Sequence, residues 1–464
     1  MAKMKINKIN PKSREKGKIV VEDVDNYSFD SSKSNKFVEN KIERHKPISD
    51  NLLEEIQKDI MSKHASLVIQ ASGRNGEVKR IQLKEIIMKE HRGTIKNSSD
   101  IAEYIVSEMV GTGVIESIIE DETVTDISWN GTFLTIESNE GQKTMSLKDL
   151  GLETMKDADD YMSKIINKFA NVMGRPFDDA NPSLDGLHEN IRINAMHNKV
   201  SPSGKTMSMR IVRPKLALKL ENFEDFAPKH IYDFLESVVK THVNVVISGE
   251  TGTGKTELQK LLLSFVNNED KIIMIEDVPE THAKKLFPEK DVFEWLTTPQ
   301  RPIASLVKDA LRNQPKFLIV SETRGSEAFE MLQAVLSGHY IITTLHSVSA
   351  NASPRRFVNM CKSAYNIDEK ATQEDILSNF DFGIHIKKLR INGKTIRFLS
   401  EIVEYSPLGN TMVFSQKYRN GEFVRATNDV SEVFKERMQE KGITYQFPQL
   451  KNDLEVEHNE DEES

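Results

Sequence analysis

From Asn51 onward, apolar residues recur at the period of a helix. Leu52, Leu53, Ile56 and Ile60 share one face, and a second amphipathic stretch surrounds Leu83, Ile86 and Ile87. A third helix follows Asp100, which with Glu103 has the spacing of a capping pair, and runs through Ile101, Ile105 and Met109. The period then shifts to two. Thr123–Trp129 and Thr132–Glu137 read as strands flanking Asn130-Gly131, a dipeptide that predicts a two-residue hairpin. A long amphipathic segment near Tyr161 to Val172 precedes two more strands, Arg192–Met196 and Met207–Val212. The pattern predicts an α+β domain ending near Pro214.

Beyond a linker at 215–225, helical and apolar-strand patterns alternate. Helix Ile231–Lys240 precedes strand Val243–Ser248, and helix Thr256–Val266 precedes strand Lys271–Ile275. Helix Ile303–Asn313 precedes strand Phe317–Val320, and helix Glu327–Leu336 precedes strand Tyr340–Leu345. Such alternation predicts a mainly parallel sheet covered by helices. After residue 380, short strands punctuated by Asn392-Gly393, Gly409-Asn410 and Asn420-Gly421 predict an antiparallel addition. The expected organisation is a disordered polar tail at 1–50, a helical extension at 51–97, an α+β domain at 98–214, the linker, an α/β domain at 226–430, and a helix with an acidic tail at 431–464. No internal repeat of solenoid period is visible.

Composition adds limits. The 464 residues include 38% hydrophobic and 29% charged ones, enough for a sizeable core with a well-solvated surface. The formal net charge of −8 argues against tight nonspecific binding to nucleic acid. Against that balance, the first stretch is basic, with Lys3, Lys5, Lys8, Lys12, Arg14, Lys16 and Lys18 facing only Glu15. It reads as a solvated tail or as a contact for an anionic membrane face or acidic partner. Cys361 is the only cysteine, so no disulfide and no all-Cys zinc site forms within one chain, which suits a reducing compartment. The start of the chain lacks the apolar stretch of a secretory signal, and no apolar run approaches the roughly 20 residues that span a bilayer.

Four segments carry candidate chemistry. Gly249-Glu250-Thr251-Gly252-Thr253-Gly254-Lys255-Thr256 fits G-x-x-x-x-G-K-[ST] and lies between an apolar strand and a helix, as that motif requires. Its glycines let backbone N–H groups cradle phosphate oxygens, and the helix adds its positive N-terminal end. Lys255 would reach the β- and γ-phosphates, and the Thr256 hydroxyl would ligate Mg²⁺. The strand ending in Glu276-Asp277, with Glu280 beyond, brings carboxylates to a sheet edge where ligands bind. There Glu276 would orient or deprotonate the attacking water, while Asp277 or Glu280 would help hold Mg²⁺ through water. A third strand ends at Ser321-Glu322, with Glu322 a candidate for Mg²⁺ or water and Arg324 close to it. A fourth, Gly338-His339 through Thr343-Thr344-Leu345-His346, ends in groups able to bond a γ-phosphate or a catalytic acid.

In this order the four segments resemble the Walker A, Asp-box, Walker B and His-box motifs of the secretion ATPase superfamily. That family includes type II and type IV secretion ATPases, pilus motors and tight-adherence pilus ATPases. The look is nearest to the type IV traffic and tight-adherence branches. The resemblance covers roughly 98–420, including GVIESIIEDETVTDISWNG and the stretches Arg192-Ile193-Asn194-Ala195 and Met209-Arg210. It implies a RecA-like P-loop ATPase domain at 226–430, with ATP and Mg²⁺ as cofactors and a cytoplasmic homohexamer on the inner face of the cell membrane. Expected partners are secretion or pilus platform proteins and a coupling protein. It also implies arginines from the N-terminal domain at the phosphates, for which Arg192, Arg210 and Arg213 are candidates beside the catalytic Glu276, Glu322 and His346. Ser321 replaces the usual Gly before the Walker B acid, Glu257 follows Walker A where Thr or Ser is commoner, and the four-Cys zinc module is absent. The rival reading is a P-loop nucleic-acid translocase, which negative charge and only 7% aromatic residues disfavour.

Overall fold

The computed structural model describes residues 47–71, 76–111, 114–138, 141–188, 190–391 and 394–447. The basic stretch, the acidic tail and the Asn392-Gly393 turn predicted above lie outside them. Among the described residues three helices come first: α1 (Asp50–Ala71), α2 (Glu77–Glu90) and α3 (Ser99–Val110). Their apolar stripes close on one another. Leu53, Ile56 and Ile60 of α1 meet Leu83 and Ile87 of α2 and Ala102, Ile105, Val106 and Val110 of α3 in one buried cluster. The α3 cap is Ser98, whose hydroxyl accepts the Ile101 N–H, and not Asp100. The helix starts earlier than the Asp100–Glu103 spacing suggests, which leaves Asp100 in its first turn, where a negative charge favours the helix dipole.

The next elements are α4 (Val114–Glu120), β1 (Val124–Trp129), β2 (Leu134–Ser138), β3 (Gly141–Met145), α5 (Met155–Val172), β4 (Ser183–His188), β5 (Ile191–Met196) and β6 (Thr206–Ile211). The six strands form an antiparallel sheet in the order β3-β2-β1-β6-β5-β4. A capping box between Thr154 and Asp157 opens α5. Its face of Ala158, Met162, Ile165, Ile166 and Phe169 shares a core with Ile127, Trp129, Ile193, Met207 and Met209 of the sheet. The β1–β2 turn differs from the two-residue hairpin expected. The Asn130 side chain accepts the N–H groups of both Thr132 and Phe133, and pairing resumes only at Trp129 with Leu134.

The remaining chain forms α6 (Lys229–Lys240), β7 (Val245–Gly249), α7 (Lys255–Phe265), β8 (Ile272–Glu276), α8 (Ala283–Leu286), β9 (Val292–Leu296), α9 (Ile303–Leu311), β10 (Phe317–Val320), α10 (Glu327–Leu336), β11 (Tyr340–Leu345), α11 (Ser353–Lys362), α12 (Glu369–Asn379), β12 (Phe382–Ile391), β13 (Lys394–Glu404), β14 (Thr411–Arg419), β15 (Glu422–Thr427) and α13 (Glu432–Glu440). Nine strands make one sheet, ordered β15-β14-β13-β12-β7-β11-β10-β8-β9. From β9 to β12 every pair is parallel, and β12 to β15 is an antiparallel meander. This is the α/β architecture with an antiparallel addition that the alternation predicts.

Every residue of β7, β8 and β10 is buried, because helices cover both faces. Val245, Ile272, Met274 and Phe317 belong to the core on one side, and Val246, Ile273, Ile275 and Leu318 to the core on the other. Cys361 is buried on α11, and that burial pushes its thiol up to about 12. Among the described residues no helix is long and apolar enough to cross a membrane.

Candidate functional site

The carboxyl ends of β7, β8, β10 and β11 share one edge of the sheet, and the four predicted segments meet there. The chain leaves β7 at Gly249, turns through the glycine-rich loop and enters α7 at Lys255. Gly254 caps α7 at φ +98°, a conformation side chains disfavour. A Cβ on Gly249 would lie 2.6 Å from the Ile386 carbonyl oxygen and 2.8 Å from Thr253 Oγ1, so only glycine lets β7 and β12 close at the loop's root. Lys255 is buried and donates to the Gly249 and Glu250 carbonyls, both at 3.0 Å. Burial holds its ammonium below the ordinary value, while the Glu322 charge opposes that shift. Behind the loop, Gln259 of α7 donates to the Val320 carbonyl at 3.0 Å, which ties the helix to β10.

Three carboxylates stand at the carboxyl ends of β8 and β10. Glu276 closes β8 and is buried. Its Oε1 accepts the Glu280 and Thr281 N–H groups and the Thr281 hydroxyl, yet burial dominates and raises the carboxyl to about 7. Asp277 turns outward and accepts the Thr297 hydroxyl at 2.9 Å. Glu322 follows β10. Partial burial works against its ionisation, but the hydrogen bond and charge of Arg324, with His346 and Lys255, outweigh burial and hold it below the ordinary range. Arg324 joins two of these acids, with Nη2 2.9 Å from Glu322 and Nη1 3.2 Å from Asp277.

His346 spans the loop and the acid: Nδ1 lies 3.0 Å from the Gly249 carbonyl oxygen and Nε2 3.2 Å from Glu322 Oε1. The preceding threonines have other duties. Thr343 bonds the Thr323 hydroxyl at 2.7 Å and Thr344 donates to the Ser321 carbonyl at 2.7 Å, so both fasten β11 to the β10 end. His339 sits before β11, at the opposite end of that strand, beside Ser337.

The three candidate arginines separate. Arg210 on β6 pairs with Asp126 across the sheet at 3.0 Å, and its charge is felt by Glu280 and Lys255 of the loop region. Arg192 stands opposite Arg210 in the β5–β6 register, half-buried. Arg213 donates to the backbone carbonyls of Ile119, Asp121 and Val124, which clamps the end of α4 to β1. Two cations absent from the sequence reading also reach the loop. Lys388 on β12 donates to the Thr251 carbonyl and Arg397 on β13 to the Gly252 carbonyl, each at 2.8 Å. The signal available for them is the density of cations around Asn392-Gly393.

The chemistry of the donors suits a magnesium nucleotide. The loop offers N–H groups and a buried ammonium for phosphate, and the oxygens of Thr256, Asp277 and Glu322 are the hard donors Mg²⁺ takes.

A sequence model of the type II/IV secretion system protein family matches residues 181–376. An uncharacterized protein of Bacillus anthracis is 46% identical over 417 residues, spanning 87% of this chain and 93% of that protein. The type IV secretion system protein PtlH of Bordetella pertussis is 34% identical over 134 residues, spanning 28% of this chain and 40% of PtlH. Among solved structures, the VirB11 ATPase of the Brucella suis type IV secretion system in complex with sulphate is 20% identical. That match has a TM-score of 0.35 and covers 63% of this chain and 93% of that one.

Proposed function

The chain belongs to the type II/IV secretion system protein family, and from that membership we propose that it is a Mg²⁺-dependent ATPase, one subunit of a homohexameric ring that energises macromolecular export, conjugative transfer or pilus assembly. It would work at the inner face of the bacterial cytoplasmic membrane, with secretion or pilus platform proteins and a coupling protein as partners.

One observation carries the reading: a complete phosphate loop stands beside strand ends that carry Glu276, Asp277 and Glu322. The loop N–H groups and Lys255 bind the phosphates. Glu276, with its carboxyl near neutrality, is matched to orient water and accept its proton at cellular pH. Thr256, Asp277 and Glu322 would hold Mg²⁺, which neutralises phosphate charge when bound. Asp277 and Glu322 must loosen from Arg324 to do so, and this frees Arg324 to meet the same anion. Thr343 and Thr344 are left out of the chemistry, since both hydroxyls are used within the sheet.

The test is phosphate release by the purified chain. Lys255→Ala should lose roughly 10²-fold or more in turnover, because a charge on the transferring phosphoryl group is removed. Glu276→Gln and Glu322→Gln should still bind nucleotide but not turn it over. Wild-type turnover by Lys255→Ala would sink the assignment. The ring is checked by sedimentation with an ATP analogue, where a monomer throughout argues against it.

A further inference from the structure

The β12–β13 hairpin carries charge that the reaction scheme above leaves unused. Strand β12 pairs with β7 only as far as Ile386 opposite Gly249, then continues to Ile391. Its overhang, with the returning β13, therefore stands over the phosphate loop. Residues Lys387 to Arg397 contain Lys387, Lys388, Arg390, Lys394 and Arg397 and no acid, in a chain of net charge −8. Lys388 and Arg397 are direct partners in the β12–β13 register. Like charges directly opposite each other destabilise a strand pair, so this arrangement costs stability locally. Each of the two cations turns to a consecutive carbonyl of the loop, Lys388 to Thr251 and Arg397 to Gly252.

We propose that Lys388 and Arg397 are positioning residues that hold the phosphate loop in its anion-accepting form. The stereochemistry is simple. A trans peptide is planar, and its C=O and N–H point in opposite directions. Pinning the Thr251 and Gly252 carbonyls to the hairpin aims the Gly252 and Thr253 N–H groups away from it. Two donors of the cradle are thereby oriented before nucleotide arrives, and nucleotide need not supply that ordering. A local rule broken in this way is expected at a functional site and not in a structural sheet.

The proposal rests on the nucleotide-binding reading. Its test uses the full chain and a fluorescent ADP analogue with Mg²⁺. Lys388→Ala and Arg397→Ala should each raise the Kd about fivefold or more, with Arg397→Lys recovering most of the loss. Melting temperature should hold or rise, since either change relieves the opposed charges; a purely structural pair would lower it. If wild type binds the analogue but both alanine variants and the double variant bind within about twofold, or lose affinity only with a fall in melting temperature, the positioning role is overturned and the ATPase reading stands. If wild type does not bind, both fall.

Discussion

Burial leaves Glu276, 1% exposed, with a carboxyl at about 7 against an ordinary 4.5. A carboxyl raised on folding contributes stability that is fully present below the unfolded value and is lost as pH rises through the folded one. Glu276 should therefore make the protein less stable as pH climbs from about 4.5 to about 7. Glu276→Gln should flatten that fall, which denaturant unfolding at about pH 5 and about pH 8 checks. Wild-type turnover should also rise with pH through about 7, as the ionised base is populated. At this scale the position of the acids was legible because Glu276 and Asp277 close one apolar strand and Glu322 follows another, a signal local in sequence. Arg213 was not, since its three carbonyl partners lie about ninety residues away. Nor were Lys388 and Arg397, which lie more than a hundred residues from the loop they touch.

Among the elements, the junction of β7 and β12 at Gly249 tolerates little change. Gly249→Ala must push a Cβ against the Ile386 backbone, so it should cost roughly 1–3 kcal/mol and weaken nucleotide binding. Gly338 also has positive φ, at +90°, but nothing lies within 4 Å of its Cβ position. Gly338→Ala should cost only about 1 kcal/mol of backbone strain and leave binding intact. Chemical denaturation of both variants makes the comparison, and equal losses would count against the steric account. Turn chemistry was legible where the backbone alone decides it. Asn420 and Gly421 both have positive φ and join β14 directly to β15, as a type I′ turn requires. Asn130-Gly131 misled because a side chain intervened. The edge strands β3, β4 and β9 went unread, since β3 and β9 expose most of their residues and β4 interrupts its apolar pattern with Asp185 and Gly186.

At the level of the molecule, the alternation of helix and strand already implied a mainly parallel sheet with an antiparallel addition, yet the division of cores was hidden. Helix α3, which the chain order groups with 98–214, buries its stripe with α1 and α2, and the sheet core begins at Ile115. Sequence proximity does not say which apolar faces meet. Arg210 belongs to that sheet core's β6 but its charge reaches the loop region, so it is the candidate to join the two parts during turnover. Arg210→Ala should lower kcat roughly tenfold or more while nucleotide affinity changes little. Steady-state kinetics decide, and an unchanged kcat would move that role to Arg192 or Arg324. Cys361 makes such coupling observable by fluorescence. With its thiol fully buried and pushed up to about 12, Cys361 offers little thiolate at neutral pH, so the native chain should react little with maleimide dyes. A cysteine at Met155, 45% exposed at the start of α5, and another at Leu408, fully exposed beyond β13, would be the only two reactive sulfurs. Dyes attached there would report the separation of the two sheets through each catalytic cycle, without first removing a native sulfhydryl.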